Sequence, residues 1–337
     1  AVDSGIEVIA VTEHSRRVRP GTAFFATRGE HADGHDFAAE ALAAGAVAIV
    51  GDRRGITELR GVPYIFTRRP RRTLGLLAHS FAGDPTKAQV VIGITGTNGK
   101  STTAVLTQHI LQTCGRSAAC FGTLWYDVAG EKVPARYTTP FAEELAEMFK
   151  RALEAGQTHV VMEVSSHALD QERVAGIDFD VAAFTNFSQD HLDYHETMDN
   201  YLRAKLKLFE RVEGSGRFTV INLDDPHAEA FVEATRVPWY TYGAYGDCRS
   251  LDVEVGPDLT RFTAETPWGS VPIQMHLLGN YNVYNALCAL TICCGLDLPL
   301  DNVAEAIESM SGLPGRFERV DKGQPFQVVV DYAHTEN

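Results

Sequence analysis

Residues 90–113 constrain the chain more than any other stretch. The apolar run Val90-Val-Ile-Gly-Ile-Thr95 passes into Gly96-Thr-Asn-Gly-Lys-Ser-Thr102, and a helical pattern follows from Lys100 to Thr113. Glycines let backbone N–H groups approach phosphate oxygens. The start of the next helix adds unpaired N–H groups and a partial positive charge. At that place Lys100 would reach the β- and γ-phosphates of a nucleotide, and the Ser101 hydroxyl would ligate Mg²⁺. The strict phosphate-loop pattern puts a glycine five residues before the Gly-Lys pair, where this chain has Ile94. The strand–loop–helix context holds nonetheless. The competing reading is a glycine-rich turn that binds no nucleotide.

The length, 337 residues, suits roughly two domains. From Val90 onward, strands alternate with helices. Strands are expected at His159–Glu163, Val181–Thr185 and Phe218–Asn222, and helices at Glu143–Ala155 and Met198–Arg211. Asp225-Pro226 reads as an N-cap followed by proline, opening a helix to Ala234. Such alternation implies crossovers and a mostly parallel sheet. Leu251 to Leu277 alternates apolar with polar residues around two turns, which predicts an antiparallel patch. Helices at Asn282–Cys294 and Asp301–Ser311 and a strand at Gln327–Val330 complete the central part. Before Val90, strands at Thr22–Ala26, Ala46–Val50 and Tyr64–Thr67 and helices at Asp36–Ala44 and Arg71–Phe81 form a separate pattern. Gly83-Asp-Pro85 ends it. The expected class is α/β, with a small N-terminal α/β domain over residues 1–85 and a central phosphate-loop domain over 86–330. The chain stops soon after its last strand, which is odd for a complete α/β protein.

Lys and Arg total 30 against 44 Asp and Glu, a net charge of −14. That balance argues against a general binder of nucleic acid or anionic membranes. The apolar runs are too short to span a bilayer, and no charged-then-apolar leader opens the chain. The first residue, Ala1, suggests a processed or trimmed start. Six cysteines show neither C-x-x-C pairs nor zinc spacing, so they read as buried reduced thiols.

Ligands of parallel sheets sit at the carboxyl edge. Glu163 closes one strand, in Met162-Glu-Val-Ser-Ser-His167. Asn186, Asp190 and His191 follow another, in Asn186-Phe-Ser-Gln-Asp-His-Leu-Asp-Tyr-His195. A carboxylate and an imidazole there suit a metal that bridges nucleotide phosphates. A capped loop, with Asp190 or Ser188 capping and His191 at the surface, fits equally well. Lys205, on a helix with Leu202, Leu206 and Phe209 along one face, reads by spacing alone as a solvated lysine.

Together with the terminal Asp331-Tyr-Ala-His334, these motifs resemble in order and spacing those of the Mur ligases, over nearly the whole chain. The resemblance is strongest to the members that add the third amino acid to UDP-N-acetylmuramoyl-L-alanyl-D-glutamate. It implies an ATP-dependent amide-forming ligase of peptidoglycan precursor synthesis, working through an acyl phosphate. It also implies that residues 1–85 hold the UDP end of the substrate and 86–330 bind ATP. Residues 331–337 would begin a linker to an absent C-terminal, Rossmann-like domain. Gly96, Thr97, Asn98, Gly99, Lys100, Ser101 and Thr102 would hold ATP, with Asn282 and Asn285 at the adenine, Arg316 at phosphate and Asp331 at the ribose. Ser101, Glu163, His191 and Lys205 would ligate Mg²⁺, Lys205 as a carbamate formed with CO₂. Lys100, Glu163, His191 and Lys205 are the implied catalytic set.

Ser15, in His14-Ser-Arg-Arg17, matches a uridine-side serine, although the family usually has Asp where this chain has His14. Glu30-His-Ala-Asp-Gly-His35 aligns with a second uridine-side stretch. Thr138 and Thr139 match the threonines that hold the muramoyl-dipeptide, and Ser165, Gln171 and Arg173 match further substrate contacts. Asn282 also reads as a helix N-cap. The implied partners are UDP-muramoyl-dipeptide and a free amino acid, diaminopimelate or lysine. Neither nucleic acid nor membrane is expected as a partner, and the protein is expected to be a cytoplasmic monomer. A folylpolyglutamate synthase-like ligase and a nucleotide-binding module without ligase activity are the rival readings.

Overall fold

Strand Val90–Thr95 is buried along nearly its whole length. So are Val181–Phe184, His159–Glu163 and Phe218–Asn222. Continuous apolar runs of this kind belong to a sheet covered on both faces. The computed structural model describes residues 5–29, 32–316, 318–320, 322–324, 326 and 328–331. They fall into two units, one of residues 1–88, 140–153 and 170–177, the other of 89–139, 154–169 and 178–337.

The larger unit is built on eight strands in the order Trp239–Tyr242, Phe218–Asn222, Val181–Phe184, Val90–Thr95, His159–Glu163, Ala118–Phe121, Trp125–Val128 and Glu131–Pro134. The first six run parallel, and the last two continue the sheet through antiparallel pairings, so that Trp125–Val128 alone runs against the rest. Val90–Thr95 thus lies between two strands that are not its neighbours in the chain, so three loops meet at its carboxyl end. That is where an open α/β sheet places a ligand. Helix Asn280–Gly295 is apolar nearly all round and is buried, packed on Lys100–Thr113. Strands Arg249–Val255, Thr260–Thr266 and Gly269–Met275 form the expected antiparallel sheet, covered by helix Leu300–Ser309.

In the smaller unit, strands Ala10–Thr12, Thr22–Ala26, Ala46–Gly51 and Val62–Phe66 are parallel, with Glu58–Leu59 antiparallel at one edge. Phe25, Val50 and Leu74 pack one face, and Phe24, Ile49 and Tyr64 the other. The expected α/β class, parallel core and antiparallel patch are all present.

Some local expectations change. The helix after Asp225 is Ala228–Ala234, with Pro226 and His227 in a turn before it; the Asp225 carboxylate accepts from the His227 N–H (2.9 Å), as a cap would, and with its other oxygen from the Phe187 N–H (2.6 Å). Asn282 is no N-cap, since its helix starts at Asn280 with Gly279 in that place. The short strands from Ala118 to Pro134 escaped the periodicity because glycines at 122 and 130 cut the apolar runs. At the far end, Val329–Val330 pairs with Glu318–Arg319. Gln327, Glu30, His31 and residues 332–334 lie outside the described residues. No described helix is long and apolar enough to cross a membrane.

Candidate active site

The loop between Val90–Thr95 and Lys100–Thr113 is held by its neighbours as well as by its own turns. Asn186 accepts from the Asn98 N–H at 2.9 Å and donates to the Asn98 carbonyl at 3.0 Å. Thr97 Oγ1 accepts from the Ser188 N–H at 3.0 Å. Gly99 has φ +82°, and a Cβ there would lie 2.4 Å from Asn285 Oδ1, so both conformation and space require glycine. Lys100 Nζ donates to the carbonyls of Gly96 (3.0 Å) and Thr97 (2.7 Å).

A cavity of about 240 Å³ opens over this loop. Gly96 to Ser101, Thr138, Glu163, Ser165, His191, Lys205 and Arg316 line it. Residues from six separate segments of sequence therefore meet around one space. Thr102 sits buried in the first turn behind the loop. Thr139 is buried too, donating to the Glu163 carbonyl at 2.8 Å and accepting from the Ser165 N–H at 3.0 Å. Asn282 and Asn285 are buried on one helix and bonded to each other at 2.9 Å, with Asn285 beside Gly99. Arg316 donates to Ser101 Oγ at 3.3 Å. Asp331 is exposed and lies outside the cavity wall, its charge felt by Tyr281.

Lys205 overturns its solvated reading. Its side chain is 1% exposed, donates to the Gly96 carbonyl at 2.7 Å and lies over the Tyr201 ring at 4.4 Å. Burial, reinforced by the Lys100 charge and opposed by Asp190, brings its pKa well below the usual lysine range. Burial lowers Lys100 as well, against the pull of Glu163 and Asp190. Tyr201 is pushed up to about 12 by burial, with the Thr97 hydroxyl acting the other way. His191 stands in a left-handed conformation, φ +51°, a strained state for a non-glycine residue. Burial lowers its pKa while Asp190 raises it. The Asp190 carboxylate accepts from the adjacent His191 N–H at 2.8 Å but caps no helix, since the short helix Leu192–His195 has His191 at its N-cap with no side-chain bond there.

Among the described residues, no three His, Cys, Asp or Glu side chains converge as a ready metal cluster. The Ser101 hydroxyl, Glu163 carboxylate and His191 imidazole nonetheless share the cavity beside the phosphate loop. Mg²⁺ at nucleotide sites takes few protein ligands and fills its shell with phosphate and water, so this donor set fits it.

Thr123, Ser166, Asp190 and Tyr201 also line the cavity. Sequence reasoning gave Thr123, Ser166 and Tyr201 no ligand, and placed Asp190 among the residues that suit a metal or cap the loop. Tyr201 had a signal, four residues before Lys205 on one helix face. Thr123 had none, because it stands in an irregular loop. Ser15, Gln171 and Arg173 belong to the smaller unit. Ser15 opens a short 3₁₀ turn. The Gln171 amide oxygen accepts from Arg173 Nε (2.9 Å) and Nη2 (2.6 Å), and the Arg173 guanidinium lies 4.2 Å from the Phe141 ring centre. His14, beside Ser15, meets the same ring edge-on at 5.2 Å.

Residues 94–293 match the family model described as Mur ligase middle domain, and residues 7–81 match that described as Mur ligase family, catalytic domain. A protein of Bacillus licheniformis, named UDP-N-acetylmuramoyl-L-alanyl-D-glutamate–2,6-diaminopimelate ligase, is 41% identical over 336 residues, covering 98% of this chain and 68% of its own length. One of the same name from Geobacillus thermodenitrificans is 42% identical with the same coverage. A solved structure of a ligase so named superposes with a TM-score of 0.84 at 28% identity, over 97% of this chain and 68% of the other. Mycobacterium tuberculosis folylpolyglutamate synthase shares the fold, with a TM-score of 0.65 at 20% identity, over 79% of this chain and 68% of its own.

Proposed function

This chain belongs to the Mur ligase family, and from that premise we propose that it joins an amino acid to UDP-N-acetylmuramoyl-L-alanyl-D-glutamate in an ATP-dependent step of peptidoglycan precursor synthesis. The added residue is diaminopimelate or lysine, the former being the one named for the relatives. The carrying observation is the shared cavity, where the phosphate loop faces Thr138, Glu163, Ser165 and His191.

The chemistry joins two anions, so charge and alignment decide the rate. A substrate carboxylate oxygen bonds to the γ-phosphorus as the bond to the ADP oxygen breaks, giving an acyl phosphate. The amine of the incoming amino acid then bonds to the acyl carbon, loses a proton and expels phosphate. Lys100 supplies a cation at the phosphates, and the loop's N–H groups orient them. Ser101, Glu163 and His191 would hold Mg²⁺, which supplies Lewis-acid neutralisation of phosphate charge. Thr138, Thr139 and Ser165 position the dipeptide. Ser15, Gln171 and Arg173 take further substrate groups, Arg173 a carboxylate. Asn282 and Asn285 face adenine with amides that donate and accept together. Arg316 takes phosphate and Asp331 the ribose.

Lys205 completes this reading as a carbamate. A buried, neutral amine is the form that adds CO₂, and the product is an anion, which suits a place beside a cation where an ammonium would be repelled. With 30 basic against 44 acidic residues, a small-molecule substrate fits better than nucleic acid or an anionic membrane. The proposal places the protein in the cytoplasm as a monomer.

Calorimetry with a hydrolysis-resistant ATP analogue and magnesium tests the nucleotide site, and heat of saturable binding is expected. Phosphate release is then compared with UDP-muramoyl-dipeptide plus diaminopimelate, the same plus lysine, and a folate plus glutamate. Release specific to the folate arm, or no nucleotide binding by a folded sample, overturns the proposal.

A further inference from the structure

We infer that Thr123, to which neither sequence motif nor family resemblance gave a role, is a positioning residue that locks the Glu163 carboxylate and sets the hydrogen-bond polarity of Thr138 toward the muramoyl-dipeptide. The inference rests on the proposed function and deepens it.

The geometry is specific. The Thr123 N–H donates to Glu163 Oε1 at 2.7 Å, and the Thr123 hydroxyl donates to Glu163 Oε2 at 3.0 Å. One residue thus holds both oxygens of a carboxylate that is 2% exposed. Gly122 makes the approach possible, since a Cβ there would lie 2.3 Å from Oε1. The Thr123 oxygen also lies 3.0 Å from the Thr138 oxygen. A hydroxyl carries one proton, and an ionised carboxylate only accepts. The Thr123 proton is committed to Glu163, so Thr138 must donate to Thr123. With its own proton used, Thr138 offers the cavity lone pairs alone. It therefore recognises a donor on its ligand, an amide N–H or a hydroxyl, and disfavours an acceptor there. The chain Glu163–Thr123–Thr138 links the metal-side carboxylate to a dipeptide-side hydroxyl.

The test measures, by calorimetry on the full chain, the affinity for a hydrolysis-resistant ATP analogue with and without magnesium, and the affinity for UDP-N-acetylmuramoyl-L-alanyl-D-glutamate. Thr123→Val removes the hydroxyl at nearly constant volume. It is expected to reduce the magnesium-dependent gain in nucleotide affinity about tenfold, the scale of one hydrogen bond to a charged group. Dipeptide affinity should fall about threefold, and magnesium-free nucleotide affinity should stay within about twofold. Thr123→Ser, which keeps the hydroxyl, should restore both losses and supplies a folded comparison.

An unchanged magnesium gain in Thr123→Val overturns the inference. So does a Thr123→Ser protein that behaves like the valine variant, or an equal loss with and without magnesium. If the wild-type protein binds nucleotide with no magnesium gain, the reading of Glu163 as a metal ligand falls first and the inference with it. That outcome is distinct from a failure confined to Thr123. Should Thr123→Val not fold, Thr138→Val serves instead. It removes the donor to Thr123 and should lower the magnesium gain about threefold, and no change there overturns the inference.

Discussion

Asn186 holds both backbone polar groups of Asn98, accepting from its N–H at 2.9 Å and donating to its carbonyl at 3.0 Å. A side-chain amide here does the work of a neighbouring strand, pairing a loop that has no ladder of its own. The phosphate loop is thereby fixed to the end of Val181–Phe184 before any ligand arrives. Asn186→Ala should weaken nucleotide affinity by up to about thirtyfold, since two hydrogen bonds near 1 kcal/mol each no longer hold the loop. Asn186→Asp should be worse, because a carboxylate cannot donate to the Asn98 carbonyl and repels a triphosphate. Calorimetry on both variants checks the order, and an aspartate variant binding as well as wild type contradicts it.

Lys205 offers the second prediction. Replacing it with alanine should lower ligase activity by about 10²-fold, the size of removing one charge-stabilising group. A short carboxylic acid should recover part of the loss, because it replaces the carbamate's anion. Exposure of the wild-type protein to ¹³C-labelled bicarbonate should give a carbonyl resonance that is missing in Lys205→Ala. Its absence from active wild-type protein would refute the carbamate.

Arg173 lies on the Phe141 ring with its fork taken by Gln171. A planar guanidinium so held is pre-organised for a carboxylate. Arg173→Met should weaken UDP-muramoyl-dipeptide binding by roughly 10–100-fold, the range for a charged hydrogen bond, and leave nucleotide affinity unchanged. Arg173→Lys should recover little, since an ammonium has no fork. Equal affinity for the dipeptide in the methionine variant would remove Arg173 from the substrate site.

His79 sets an acid limit. It is fully buried, neither ring nitrogen has a hydrogen-bond partner among the described residues, and the ring lies 5.8 Å from that of Phe149. Burial holds its pKa at about 4, below the ordinary 6.5, with Asp84 pulling weakly upward. A base whose pKa falls on folding binds its proton more readily when unfolded. Stability is therefore complete above pH 6.5 and declines as pH falls toward 4, by about 3 kcal/mol at most. His79→Leu should flatten that decline in urea titrations between pH 7 and 4. A slope identical to wild type would show that another group is responsible.

Much of the fold could be read locally. Lys100–Thr113 and His159–Glu163 were placed to the residue, because apolar period, glycines and β-branched runs act over a few positions. The loop Gly96 to Thr102 announced itself for the same reason. The bond from the Phe187 N–H to the Asp225 carboxylate did not, because its two partners stand 38 positions apart.

By itself the sequence determined the strand–loop–helix unit, the alternation that makes a parallel sheet and the residue types able to meet a nucleotide. These depend on backbone preferences and on side-chain period, which neighbours in the chain already define. Only the tertiary structure decided that Lys205 is buried with its pKa well below the usual lysine range, that Thr123 clasps Glu163, and that His79 lacks a partner among the described residues. A helical period tells which residues share a face but not what packs against it, and desolvation and hydrogen-bond partners are properties of that packing.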